Sequence, residues 1–191
     1  MAGKQAKILS NEHLKALLTF TRRTRYPLRN RAIVLLSVKA GLRAGEIAKL
    51  TWAMVLDPNG NVGNSIELHD RAAKKRSGRR IPMHPDLQLA LTQLRRLGKG
   101  DGPIIRSERS GAMQPGAIVN WFAITYRELK LEGCSSHSGR RTFITRAAKA
   151  IHRSGGSLRD VQLLAGHRAL TTTQRYIEGD SDAQRRLVLM I

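Results

Sequence analysis

Apolar residues recur at helical spacing along most of this chain and alternate over one short stretch. Leu14, Leu17 and Leu18 follow Ser10, whose hydroxyl suits a helix N-cap, and Glu12 lies in the first turn, where a carboxylate meets the positive end of the helix dipole. These residues predict a helix over about 10–21, followed by a basic turn over 21–26. From Leu28 the run RAIVLLSVKA is apolar on nearly every side and stops at Gly41, which is the pattern of a buried central helix ended by glycine. Another helix is expected from Ala44 to just before Thr51 and Trp52, with Leu42 and Arg43 in the junction.

The stretch 54–84 breaks this rhythm. DPNGN is rich in turn formers, SIELH alternates, and KKRSGRR carries a Ser-Gly turn before RIPM, so a small antiparallel sheet is expected. Pro85 suits the first turn of a further helix, whose Leu87, Leu91 and Leu94 run on to Leu97 before GKGDG ends it. Next come an extended Pro103-Ile104-Ile105, a turn at SERSG, and a helix over 114–131 with Ile118, Phe122 and Tyr126 on one stripe. Three last helices are expected over 138–152, 157–165 and 171–178. The whole reads as a mainly α domain with a small antiparallel β-sheet, an α+β fold without internal repeats.

Composition adds one decisive number. Lys and Arg total 34 against 14 Asp and Glu, a formal net charge of +20 in 191 residues, and such an excess implies a polyanionic partner. Basic residues run from Arg22 to Arg186 instead of gathering on one amphipathic helix, which favours nucleic acid over a membrane surface. Aromatic residues make up only 4% of the chain, too few for stacking along a single strand, so a duplex held by its phosphates is expected. The one cysteine, Cys134, can form no internal disulfide and has no partner at zinc-site spacing. No apolar run reaches the roughly 20 residues that span a bilayer, and the first residues do not read as a signal peptide. A soluble cytoplasmic protein with no membrane association is expected.

Four segments set polar residues beside helix breaks: GLRAGEI around Arg43, KKRSGRRIP around Lys74, HSGRR with His137 and Arg140, and AGHRALTTTQRY from His167 to Tyr176. His137 and Arg140 stand three apart, so on a helix they project from one face and address a single anion. Taken singly, each segment has an ordinary explanation. His137 and Arg140 read as a solvated helix start, and Tyr176 as a packing residue.

In this order and spacing the segments resemble the catalytic domain of the tyrosine recombinases, the phage integrases, over about 9–178. GLRAGEI is similar to the family's first-arginine motif and HSGRRTF to its His-x-x-Arg box. LLAGHRALTTTQRYIE is similar to the stretch in which glycine-histidine is followed nine positions on by the nucleophilic tyrosine, with Thr172 and Thr173 matching as well. The resemblance implies a site-specific recombinase that cleaves and rejoins double-stranded DNA through a 3′-phosphotyrosyl intermediate, working as a homo-tetramer on two duplexes.

The resemblance also assigns roles. Tyr176 is the implied nucleophile, Arg43 and Arg140 a clamp on the nonbridging oxygens, His167 a further donor to them, and His137 the group that takes or steadies the tyrosine proton. Lys74 is the implied proton donor to the leaving 5′-oxygen, and Glu46 a support that orients the clamp. Two guanidinium groups suit a transition state that gathers negative charge on those oxygens. A tyrosine hydroxyl, ordinarily titrating at about 10, needs such a cationic pocket to react near neutral pH. Lys74 lies eight positions before Pro82, the family's spacing. Lys75 stays open, because a one-residue shift of the hairpin reverses which side chain faces the site. Glu46 as a simple exposed helix glutamate stays open too. The covalent intermediate keeps the energy of the broken bond, so no cofactor, ATP or metal is expected. A catalytically idle DNA-binding protein of this fold and a relaxing enzyme like the type IB topoisomerases are the other readings of the same residues.

The chain departs from the family pattern at Gly139, where leucine is usual, at Arg141, where many members have a second histidine, and at Ala165, where leucine is again usual. Changed packing or rate is expected from these. The catalytic domain is expected over 1–180, with a tail over 181–191 whose apolar LVLMI docks on a neighbouring subunit or folds back on its own. The N-terminal helical domain with which typical members clamp DNA is expected to be absent. Either the chain is a piece of a longer integrase, or it is naturally short like the family's fimbrial-switch invertases. Without that clamp, binding is expected to be weak and steeply salt-dependent.

Overall fold

A computed structural model describes residues 5–73, 77–98, 100–109, 111–176 and 188–189. The most uniformly apolar run becomes the centre of the molecule. Pro27 opens α2 (Pro27–Lys39), and every residue from Ala32 to Val38 is buried, so this helix needs neighbours on all sides. It packs against α1 (Asn11–Thr21), α4 (Pro85–Arg95) and α6 (Ser138–Ser154). α1 begins at the expected cap: Ser10 Oγ accepts from the His13 N–H at 3.1 Å, and His13 Nδ1 accepts from the Ser10 N–H at 3.4 Å. α3 (Ala44–Lys49) packs on α5 (Pro115–Glu128), whose Ile118, Phe122 and Tyr126 form the expected buried stripe.

The predicted sheet has two strands, β1 (Ser65–Leu68) and β2 (Arg79–Pro82), antiparallel with Ile66 opposite Ile81 and Leu68 opposite Arg79. Ile66, Leu68 and Ile81 are buried, while Glu67 and Arg80 form an exposed ion pair of 2.9 Å on the other face. The earlier part of the 54–84 stretch is not strand. A 3₁₀ turn (Trp52–Met54) and a single bridge between Leu56 and Val62 take its place. Lys74 and Lys75, in the loop joining the strands, lie outside the described residues.

The last third differs from expectation in its helix ends. α6 runs on to Ser154 and stops at Gly155, which takes the left-handed φ of +66° that glycine tolerates. α7 (Leu158–Ala165) occupies the expected place, with a Ser157–Asp160 capping box. α8 (Leu170–Gln174) is much shorter than the helix expected over 171–178. Its LTTTQ sequence is dominated by β-branched threonines, and no side chain caps its start. Tyr176 therefore lies in the turn beyond the helix, its N–H donating to the Thr173 carbonyl at 3.0 Å. A small second core forms here from Ile144, Ala148, Val161 and Ala165, with Phe143, Ile151 and Tyr176 packed against it. The predicted tail lies outside the described residues except for Val188 and Leu189, both exposed.

α6 crosses α2 at Gly139. A Cβ at this position would come within 2.9 Å of Ser37 Cβ and 3.0 Å of Val38 Cγ1, so glycine is what lets the two helices approach this closely. Among the described residues no helix is long and apolar enough to cross a membrane. Gly139→Ala is expected to destabilise the domain by about 1–3 kcal/mol through overpacking, and Ser37→Gly in the same chain to recover much of the loss. Urea unfolding midpoints of the single and double variants check this.

Candidate active site

The junction after α2 places Arg43 at the start of α3, and the first turn of that helix turns Glu46 back beneath it. Glu46 is only 1% exposed, and its carboxylate is fully engaged. Oε1 accepts from Arg43 Nη1 at 2.8 Å and from Arg79 Nη1 at 3.2 Å, while Oε2 accepts from the Arg43 backbone N–H at 3.0 Å and from Arg79 Nη2 at 3.1 Å. Burial pushes this carboxyl upward, but the hydrogen bonds and charge of Arg79, joined by those of Arg43, override it and hold it at about 2. Arg79 also donates from Nε to the Leu164 carbonyl at 2.8 Å, which ties β2 to α7. Glu46 is thus a buried carboxylate held in a guanidinium fork, not an exposed helix residue.

Arg140 is buried beside this network. Its Nη1 donates to the Gly41 carbonyl and its Nη2 to the Ala165 carbonyl, both at 2.6 Å, so the guanidinium bridges the ends of α2 and α7. Burial, and then the nearby charge of Arg43, lower its pKa to about 9, which leaves it cationic near neutral pH. Two of its five N–H donors are spent on these carbonyls, and among the described residues the other three have no hydrogen-bond partner. Ala165 contributes its backbone oxygen here, so the alanine in place of leucine leaves this contact intact.

Gly166 ends α7 with φ +61° and delivers His167 into the same region. Gln162 fixes the turn by donating from Nε2 to the carbonyls of His167 at 2.9 Å and Arg168 at 3.2 Å. The imidazole stacks on Tyr176, with ring centroids 5.7 Å apart and planes inclined at 23°, and its Nδ1 lies 3.0 Å from the hydroxyl of the buried Thr173. Burial and the surrounding charges of Arg140, Arg43 and Arg79 lower the His167 pKa to about 4, so the ring is neutral at pH 7. In the neutral ring either Thr173 donates to Nδ1 and the ring proton sits on Nε2, or Nδ1–H donates to Thr173. His137 occupies the N-cap position of α6, where its side chain makes no capping hydrogen bond, and is exposed.

Arg43, His137, Arg140, His167 and Tyr176 all line one cleft of about 460 Å³, together with Gln5, Ser135, Arg141, Thr172 and Arg175. A smaller cavity shares Arg43, His167 and Thr172 with it and is lined by Ser77, where the described chain resumes after Lys74 and Lys75. Of the residues picked from sequence, five line the cleft, Glu46 lies beneath Arg43, and the lysines fall outside the described residues. Sequence reasoning missed Arg79 and Arg175, and it compared Arg141 and Thr173 with the family pattern without giving either a place in the site. Arg79 gives no local signal, being one of several basic residues in KKRSGRR, whereas Arg141 stands one helical turn after His137, a spacing that puts both on one face.

This helical fold with its arginine, histidine and tyrosine cleft has known counterparts. The phage integrase family model matches residues 7–182, and the chain belongs to that family. It is similar to tyrosine recombinase XerC of Rhizobium meliloti strain 1021, 32% identical over 158 residues, which are 80% of this chain and 46% of the relative. XerC of Brucella suis biovar 1 is 28% identical over 80% of this chain and 47% of its own length. The chain therefore spans about half the length of these curated relatives. The fold is that of the XerA recombinase crystal structure, with a TM-score of 0.74 at 22% identity over 96% of this chain and 64% of that one. It is also that of the Tn1549 transposon integrase in complex with circular intermediate DNA, with a TM-score of 0.76 at 19% identity over 100% and 67%.

The buried groups fix a direction for the response to acid. Glu46 titrates at about 2 in the folded chain against an ordinary 4.5, so its contribution is complete above pH 4.5 and is lost as the pH falls toward 2. A difference of this size is worth about 3 kcal/mol. His167 acts in the same sense at higher pH: unfolded it takes a proton near 6.5, folded only near 4, so stability falls as the pH drops between those values. The urea midpoint is expected to decline from pH 6.5 downward. Glu46→Gln should remove the part of the decline below pH 4.5, while costing about 3–5 kcal/mol at pH 7 because Arg79 loses its buried partner. Unfolding curves across this pH range check both.

Proposed function

We propose that this chain cleaves and rejoins strands of double-stranded DNA through a 3′-phosphotyrosyl intermediate, as a site-specific tyrosine recombinase. One observation carries the reading: five side chains scattered from Arg43 to Tyr176 line a single cationic cleft, and the clamp arginines among them are held in place before any ligand arrives. The relatives named tyrosine recombinase XerC and the similar integrases solved in complex with DNA support the same substrate.

In this reading the Tyr176 oxygen attacks a backbone phosphorus and the bond from phosphorus to the 5′-oxygen breaks. The tyrosine proton passes to His137 at the mouth of the cleft. Charge that develops on the nonbridging oxygens is met by Arg43 and Arg140 and by the Nε2 proton of His167. Glu46 and Arg79 act as positioning residues through Arg43. Lys74, or Lys75 beside it, supplies the proton for the leaving 5′-oxygen; the reading is supported by Ser77, three residues on from Lys74, which lines a cavity with Arg43 and His167. Reversal of the steps, with a 5′-hydroxyl from a second duplex, rejoins the strands. Exchange between two duplexes goes with a homo-tetramer on DNA, to which the apolar tail is a natural contributor.

Nicked suicide duplexes, selected for binding from a random-sequence pool, are expected to give a protein–DNA adduct that survives denaturing electrophoresis. Tyr176→Phe should abolish the adduct while retaining duplex binding. Binding without any adduct from the parent chain would favour an idle DNA-binding protein. Relaxation of supercoils without site preference would favour a topoisomerase-like enzyme.

A further inference from the structure

The cleft holds more positive charge than one phosphate needs. Arg43, Arg140, Arg141 and Arg175 all line it, and among the described residues no carboxylate does. Glu46 lies below and spends both oxygens on Arg43 and Arg79. A single phosphodiester carries one negative charge, and Arg43, Arg140 and His167 already offer its two nonbridging oxygens a full set of donors.

Arg141 is placed differently from the clamp. It follows Arg140 on α6, so its side chain leaves the helix about 100° away from that of Arg140, and it stands four residues after His137, on the face that carries His137 into the cleft. Arg140 is fixed by the carbonyls of Gly41 and Ala165. Arg141 has no such anchor: its Nε is shut off from solvent and has no hydrogen-bond partner among the described residues. A charged donor kept from both water and protein acceptors is costly to the free protein, and that cost is recovered when a ligand brings an acceptor. The ligand that fits this cleft is the DNA backbone, whose phosphates are a strand's only anionic groups.

We propose that Arg141 binds a second phosphate of the DNA backbone, next to the one held by Arg43 and Arg140. This rests on DNA being the ligand of the cleft, and it goes beyond the cleavage chemistry by giving a role to the position where many relatives carry histidine. A second grip of this kind fixes the direction in which the strand lies through the cleft, which one phosphate held alone does not.

The slope of binding against salt counts neutralised phosphates, at roughly 0.9 per phosphate for duplex DNA, and so separates a second phosphate from a shared one. The measurement uses the full chain carrying Tyr176→Phe and a mixed-sequence duplex. Arg141→Met and Arg141→Gln are each expected to lower the slope by about 0.9, while Arg141→Lys keeps it. In the absence of DNA, Arg141→Met is expected to leave the unfolding midpoint unchanged or raised, because it removes an unsatisfied buried donor. An unchanged slope in the Met and Gln variants overturns the proposal even if affinity falls, since a phosphate still held by Arg43 and Arg140 releases the same counterions. An unchanged slope with a lowered midpoint assigns Arg141 a structural role instead. Adduct formation by the parent chain is scored separately. An adduct with an unchanged slope defeats this inference and leaves the cleavage reading standing, and a reduced slope without an adduct does the reverse.

Discussion

A buried carboxylate in a chain of net charge +20 organises the rest of the site. Glu46 lies within hydrogen-bonding reach of two guanidinium groups and a backbone N–H, and through Arg79 it links α3, β2 and α7. Burying an unpaired carboxylate is expensive, and so is burying an unpaired guanidinium; each partner makes the other's burial tolerable. Arg79 supplies two of the four bonds to Glu46, and Arg43 supplies the other two from its side chain and its backbone N–H. The orientation of Arg43 at the cleft is therefore set by the folding of the domain and not by the arrival of a ligand.

The other buried guanidinium is held by neutral oxygens. Arg140 leans on two backbone carbonyls, and its close approach to the end of α2 depends on the absence of a side chain at Gly139 one residue earlier. Burial, and after it the crowding of positive charge, depresses the values of Arg140 and His167. Such a site is uncomfortable when empty. Under the proposed function its donors are already aimed where negative charge gathers, so the reorganisation that water would have to undergo during a reaction has been completed in folding.

The sequence made some of this plain and hid the rest for identifiable reasons. α2 and the stripe on α5 were legible because burial writes itself as unbroken or periodic apolar residues. The end of α8 was not, because threonine-rich turns carry no apolar period and the conformation there is decided by tertiary contacts. His137 and Arg140 showed their shared face through spacing alone. Arg79 stayed hidden: its partners Glu46 and Leu164 lie 33 and 85 residues away, and a long-range ion pair leaves no mark on local sequence. Glu46 could be read as exposed or buried until the position of Arg79 decided it.

Tyr176 belongs to a different part of the molecule from the clamp. It packs on the small core of Ile144, Ala148, Val161 and Ala165, separate from the large one around α2, and it follows a helix of barely more than one turn. Two alanines among those four residues mean that little apolar area is at stake there. Under the proposed function, the nucleophile and Arg43 therefore answer to different free energies: Arg43 is tied to the large core through Glu46 on α3, whereas Tyr176 rests on the small one and is open to withdrawal by a local opening. On the proposed reading, a chain built this way separates holding DNA from cutting it, so that a tight complex need not be a broken one.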